Sequence, residues 1–416
     1  MYNTLSSLSI IVAVIVGSCN DTTPGNTSSV GAMDSSSSAR KDTGVEKNAA
    51  NTQYKPAFEG QTRIAAVKTQ TPFEGKLLSK ELKRPWGIAS LPDGRLLITE
   101  KEGTMRIATT AGKVSAPITG LPEVDSRGQG GLLGLTVDPA FSTNRMVYWS
   151  YSGIEGDVNL TAVAKGKLAA DEKTLENVQV IYKATPAFKS VLHYGSRILF
   201  DKTGNLVVST GERSERESRP QAQFLNSAMG KIVRITTEGK PAAGNPFLNV
   251  DSAKPEIYSY GHRNVQGLAF HPTTGDLWDA EFGPRGGDEL NRVEAGKNYG
   301  WPTITYGLEY SGDKVGGAIQ QKAGMEQPVY YWDPVISPSG MTFYTGDSIP
   351  EWKNNLFITG LSSMQITRLV IKGNKVTGEE RLLTAERKRF RAVIQGTDAA
   401  MYAVTDDGCL YRIGKK

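Results

Sequence analysis

One unit recurs along this chain and limits what it can fold into. A short apolar strand enters a turn built on Pro, Asp or Gly, and a second apolar strand leaves it. Residues 86–99, WGIASLPDGRLLIT, are the cleanest copy. The pattern returns in residues 133–151, 197–210 (RILFDKTGNLVVST), 267–280 (GLAFHPTTGDLWDA), 341–359 and 392–405, about six copies spaced roughly 50–70 residues apart. A β-propeller blade is a four-stranded antiparallel unit of about 40–50 residues, lengthened by insertions. Apolar and polar residues alternate within the runs, as half-buried antiparallel strands require. Sustained helical periodicity is nearly absent. A pair of β-sandwiches would account for the strands but not for one hairpin recurring end to end. The pattern predicts an all-β chain, a six-bladed β-propeller of four-stranded antiparallel blades over residues 71–416. In such a ring the inner strands converge on a channel, so loops far apart in sequence meet at one mouth.

The region before the ring reads differently. Residues 8–16 (LSIIVAVIV) are too short to span a bilayer and have the length of a signal-peptide core. Gly17 and Ser18 directly before Cys19 resemble a bacterial lipobox, although residues 1–8 lack the usual Lys or Arg. Residues 1–19 are therefore expected to be a signal peptide ending at a lipidated Cys19, with ordinary cleavage nearby as the alternative. Residues 20–70 are expected to be a flexible tether. Over residues 20–53 Ser, Thr, Asn, Asp and Gly dominate, and such a segment cannot offset the entropy of ordering. The expected address is the periplasm or the outer membrane, with membrane contact only through the lipid. Cys19 and Cys409 are the only cysteines, so a lipidated Cys19 leaves no disulfide. The net charge is +5 with Lys and Arg scattered, which argues against a nucleic-acid partner.

Several polar residues stand where a propeller mouth would be. The densest stretch is residues 261–302, GHRNVQGLAFHPTTGDLWDAEFGPRGGDELNRVEAGKNYGWP. His193 precedes a strand, and a His there can act as a general base near neutral pH. Glu212 lies at the far end of the following hairpin, where antiparallel pairing would return it to His193 and let it orient the ring. His193 could equally be hydrogen-bonded for structure alone. His271, at a turn, reads as structural, and His262 as intermediate. Gly283-Pro284 is a stiff turn that can aim backbone carbonyls at a Ca²⁺ ion, or simply a turn. Asp288 and Glu289 are further oxygen donors or plain loop charges. Arg263 and Asn264 supply a cation and an amide. Arg389 and Arg391, two apart on a strand, share one face and suit a polyanion, unless they are only an exposed basic strand. Gln129 sits in a Gly-rich loop that lacks the Lys and Ser/Thr of a phosphate-binding loop.

In order along the chain, RPWGIASLPDGRLLITE, RGQGGLLGLTVDP, HYGSRILFDKTGNLVVSTGE, MGKIVRI, GHRNVQGLAFHPTTGDLW, FGPRGGDELN, NYGWP, SPSGMTFYTGD and RFR resemble the quinoprotein aldose sugar dehydrogenase family over residues 72–413. The resemblance implies a six-bladed propeller holding pyrroloquinoline quinone (PQQ) and Ca²⁺ at its mouth. It implies oxidation of an aldose at C1 to the lactone, with His193 as base and hydride passing to the quinone. Glu212 would orient His193 from a position that usually holds Asp. Gln129 would contact the sugar, and Arg263 and Asn264 the reduced quinone oxygens. Arg389 and Arg391 would hold the cofactor carboxylates, and the Gly283 and Pro284 carbonyls the Ca²⁺. The electron acceptor, a quinone or a cytochrome, is left open. Three positions depart from the pattern. Ser362, Ser363 and Met364 stand where a cofactor-facing Lys is common, Phe282 replaces a His, and Leu192 an Asp or Asn. The alternatives are a non-catalytic propeller that has lost the quinone, and a metal-dependent lactonase. The latter would need a carboxylate cage that the sequence does not display.

Overall fold

The computed structural model describes residues 44–416. The expected signal peptide, Cys19 and residues 20–43 lie outside them. Five four-stranded antiparallel sheets and one three-stranded sheet follow one another along the chain. Their innermost strands are Pro85–Ser90, Leu132–Val137, Gly195–Phe200, Val265–Phe270, Pro338–Phe343 and Phe390–Gln395. Each of these touches the next, and the sixth touches the first, so the strands form a closed ring. The six-bladed propeller is therefore present, with one reduced blade. In the first blade the outer strand shrinks to the isolated bridges Met105↔Ile118 and Ala108↔Val114.

The sixth blade is not built from consecutive chain. Its outer strand is Phe73–Ser79, which pairs antiparallel with the last strand, Leu410–Lys415. The two ends of the ring are thus joined by a ladder of backbone hydrogen bonds. Behind it, Ile88, Leu96 and Ile98 of the first blade pack on Ala392, Tyr402 and Val404 of the sixth. Every other blade interface has an apolar cluster of the same kind. This arrangement explains a departure from the expected alternation. The second strands Leu96–Glu100, Leu206–Thr210, Leu277–Glu281, Leu356–Gly360 and Met401–Thr405 are buried at every residue, because each sheet is covered on both faces by its neighbours.

Each inner strand is irregular near its start, where the register shifts against the second strand. Such a bulge leaves backbone groups to be satisfied by something other than the ladder. Three hydroxyls do this and tie one blade to the next. Thr99 Oγ1 accepts the Gly87 N–H at 2.7 Å and donates to the Leu133 carbonyl at 2.6 Å. Ser150 does the same between Gly134 and Ser196, and Ser209 between Arg197 and Val265.

The expectation of a tether through residue 70 is corrected for residues 44–70, which are strapped to the ring. Asp333 accepts from the Asn51 and Thr52 backbone N–H groups and from both side chains, at 2.8–3.0 Å. Gln61 is fully buried, and its side chain donates to the Pro328 carbonyl at 2.9 Å. Glu46 pairs with Arg381 at 2.6 Å. Composition predicts a tether because apolar burial is scarce there, but the strap is held by polar side chains reaching a buried carboxylate. Cys409 is buried and unpaired.

Replacing Asp333 with Ala should strand these donors and cost about 1–3 kcal/mol. The expected readout is a lower melting temperature with new protease cleavage within residues 44–70. Unchanged melting and cleavage would show that the strap is held by other contacts.

Candidate active site

Blade geometry delivers two sets of residues to one mouth. The segments entering the inner strands bring Arg84, Gln129, His193, Arg263, Asn264 and Arg389. The segments leaving the second strands bring Lys101, Glu212, Gly283, Ser362 and Asp406. Five blades contribute to a cleft of about 300 Å³ that includes Trp86, Lys101, Gln129, Gln266, Arg391 and Asp406 in its walls.

His193 and Glu212 meet as the hairpin predicts. His193 Nδ1 lies 2.6 Å from Glu212 Oε1, and both side chains are buried. Glu212 Oε2 accepts the Ser214 N–H at 2.9 Å, which fixes the carboxylate. With Nδ1 bonded to a carboxylate the neutral ring carries its proton there, leaving Nε2 as the basic nitrogen. The approach needs Gly211, where a Cβ would stand 2.0 Å from the His193 carbonyl oxygen. His193 itself has φ of 45°, a left-handed conformation rare for a residue with a side chain. Gln129 steadies it, its Oε1 accepting the His193 N–H at 2.9 Å. That bond leaves the Gln129 amide NH₂ for a ligand. Burial and the Arg263 charge push the imidazole down to about 4, against the pull of Glu212.

Arg263 lies over the Trp301 ring at 5.1 Å, so the NYGWP motif supplies a cation–π platform. Its Nη1 donates to the Gly283 carbonyl at 2.8 Å and the Phe282 carbonyl at 3.1 Å. The carbonyl expected to face a metal is therefore engaged by a guanidinium. Asp288 pins the Gly283-Pro284 turn from behind, accepting the Gly283 N–H at 2.8 Å and the Ser337 N–H at 2.7 Å. Burial pushes its carboxyl up to about 7. Asn264 Oδ1 accepts the Gly195 N–H at 3.0 Å. Arg263 Nε and Asn264 Nδ2 are among the buried donors that lack a protein partner, as are Trp301 Nε1 and Arg197 Nη2.

Arg389 and Arg391 do share a face, and a residue the sequence reading passed over holds both. Asp406 accepts from Arg389 Nε at 2.9 Å and from Arg391 Nε at 2.8 Å. Arg391 also reaches Gln266 Oε1 at 2.9 Å. Arg197 was missed as well. In the inner strands its place is otherwise taken by Gly87, Gly134, Gly267, Gly340 and Ala392. Its guanidinium stacks on Trp86 at 4.3 Å and donates to the Gln266 carbonyl at 2.8 Å. It stands between the mouth cleft and a second cavity lined by Ile88, Leu135, Ile198, Leu268 and Val393.

His262 is wholly buried behind Arg263, with Asp279 and Glu281 close enough for the three to share a metal. The sequence reading saw no such carboxylate group. It lies away from the cleft walls, and the Glu281 carboxylate also accepts the Arg263 N–H at 2.6 Å. His271 accepts the Thr273 and Thr274 N–H groups in a turn, as a structural His does.

A base held near 4 is neutral at ordinary pH and is lost only as pH falls through that value. The acid limb of any His193-dependent rate should therefore lie near pH 4. A limb near the ordinary His value of about 6.5 would contradict the buried environment. Glu212→Gln removes the group that raises the imidazole pKa and fixes its tautomer. The rate should fall about 100-fold, with the limb displaced to lower pH.

The Glucose / Sorbosone dehydrogenase family model matches residues 82–412. Aldose sugar dehydrogenase YliI of Escherichia coli (strain K12) is 40% identical over 335 residues, spanning 80% of this chain and 90% of that protein. The crystal structure of the soluble aldose sugar dehydrogenase from Escherichia coli, in the apo form, aligns with a TM-score of 0.79 at 38% identity. It covers 83% of this chain and 100% of that one. The PQQ-bound form of an aldose sugar dehydrogenase from Streptomyces coelicolor aligns with a TM-score of 0.68 at 29% identity, covering 83% of this chain and 99% of that one.

Proposed function

The chain belongs to the glucose/sorbosone dehydrogenase family, and from that premise we propose that it oxidises aldose sugars at C1 to the lactone using PQQ and Ca²⁺. The observation that carries the reading is the buried His193–Glu212 pair, 2.6 Å apart, beside a cleft rich in cations. His193 takes the proton of the C1 hydroxyl at Nε2. Glu212 holds the ring and stabilises the imidazolium that forms. Gln129 keeps His193 in its left-handed conformation and offers its amide NH₂ to the sugar.

The residues present fit the cofactor. PQQ is a quinone tricarboxylate, and Arg389 and Arg391 provide forked donors for carboxylates. Arg263 Nε and Asn264 Nδ2 are buried donors without an acceptor, as the environment of quinone oxygens would require. The Gly283 and Pro284 carbonyls would hold Ca²⁺, once Arg263 Nη1 releases the first of them. When bound, the quinone accepts the hydride and Ca²⁺ acts on it as a Lewis acid. The electron acceptor is left open, with a quinone and a cytochrome as the candidates. We extend the proposal to the address: export, with lipidation at Cys19, which mass spectrometry of the N-terminal peptide from membrane fractions would test.

The direct test reconstitutes the purified chain with PQQ and Ca²⁺ and follows dye reduction with a panel of aldoses. Sugar-dependent reduction that disappears on chelation is the expected result. His193→Ala should bind PQQ normally and turn over about 10³-fold more slowly. Unchanged turnover would remove His193 as the base. Failure of the wild type to bind PQQ would point to a propeller that has lost its cofactor.

A further inference from the structure

The exits of the second strands are equivalent places in successive blades, and they deliver several of the charged groups of the mouth. The third blade places Glu212 there and the sixth Asp406. The fifth places Ser362, whose hydroxyl is exposed and bonded to Ser337 Oγ at 2.8 Å, so this blade brings no cation. The first blade places Lys101, which lines the same cleft as Arg389, Arg391 and Gln129.

Lys101 is in an unusual state for a lysine. It is only 9% exposed, and the Gly128 carbonyl, at 2.8 Å, is the one protein acceptor of its ammonium among the described residues. An ammonium has three donors, so two are unused. The groups that face it are Arg84, Arg391, Asp406 and Glu102. Arg84 is already paired with Glu102, and Asp406 with Arg389 and Arg391. Among the described residues no carboxylate is left for Lys101. Burial, Arg84 and Arg391 pull its ammonium down to about 8. A buried cation that is short of an anion, on the wall of a cleft with two forked cations, is a place for a ligand carboxylate.

We propose that Lys101 is a cofactor-binding residue, its ammonium taking an anionic oxygen of the bound quinone carboxylates and replacing from the first blade the cation that the fifth blade lacks at Ser362. This rests on the PQQ reading above. Binding also draws a proton. The anion favours the charged lysine, so a partly deprotonated Lys101 becomes fully protonated.

The test is calorimetric binding of PQQ to the purified chain at pH 8.5, in buffers of different ionisation enthalpy. Although buried, Asp406 has its carboxyl held low by Arg391 and Arg389 and stays ionised there, and His193, held near 4, stays neutral. Wild type should take up roughly half a proton or more per PQQ bound. Lys101→Met should bind about 10–100-fold more weakly and lose the proton uptake. Lys101→Gln keeps a donor for the Gly128 carbonyl and removes the charge, so it should behave like Lys101→Met without disturbing the loop. Lys101→Arg should retain affinity and lose the proton uptake. Equal affinity of wild type and Lys101→Gln, or equal proton uptake, would overturn the assignment of Lys101 and leave the PQQ reading standing. Absence of PQQ binding by the wild type would overturn both.

Discussion

The last of the six wedges is completed by chain from before the first. The pairing of Phe73–Ser79 with Leu410–Lys415 is therefore the constraint on which the mouth depends. His193, Arg263 and Arg391 come from three blades, and their separations are fixed by the ring rather than by local sequence. The hydroxyls of Thr99, Ser150 and Ser209 refine this by binding the irregular start of one inner strand to the next. The irregularity sits where entry segments turn into the cleft. Strand register and site geometry are thus set by the same bonds.

The mouth divides its charges by burial. His193 is enclosed beside Glu212 and within the field of Arg263, which keeps it neutral and available as a proton acceptor. Arg389 and Arg391 share Asp406, so each guanidinium is positioned without being fully neutralised. Arg263 is held by Trp301 and by backbone carbonyls, with no carboxylate on its side chain among the described residues. A site organised this way attracts anions while keeping its base uncharged. Those are opposite demands on one small volume, and the aromatic and backbone partners of Arg263 let both be met.

Much of this was legible because blades repeat as hairpins. The recurring strand–turn–strand unit gave the ring, and the hairpin after His193 placed Glu212 beside it. What escaped reading depends on neighbours from other blades. Asp406 lies in an ordinary TDDG turn, and nothing there announces that it binds two arginines. Lys101 follows a strand like many surface lysines, and only the second blade, through Gly128, makes it an interior cation. The acids Asp279 and Glu281 read as strand residues until the sheet folds His262 against them. Residues 44–70 were misjudged because composition measures apolar burial, whereas Asn51, Thr52 and Gln61 are anchored by hydrogen bonds. The buried second strands hid their status too, since alternation is a sign of one exposed face and these sheets have none.

Arg197, stacked on Trp86, stands between the cleft at the mouth and the cavity beyond it. For the proposed oxidation, sugar and oxidant would then share one approach, through the cleft at the mouth.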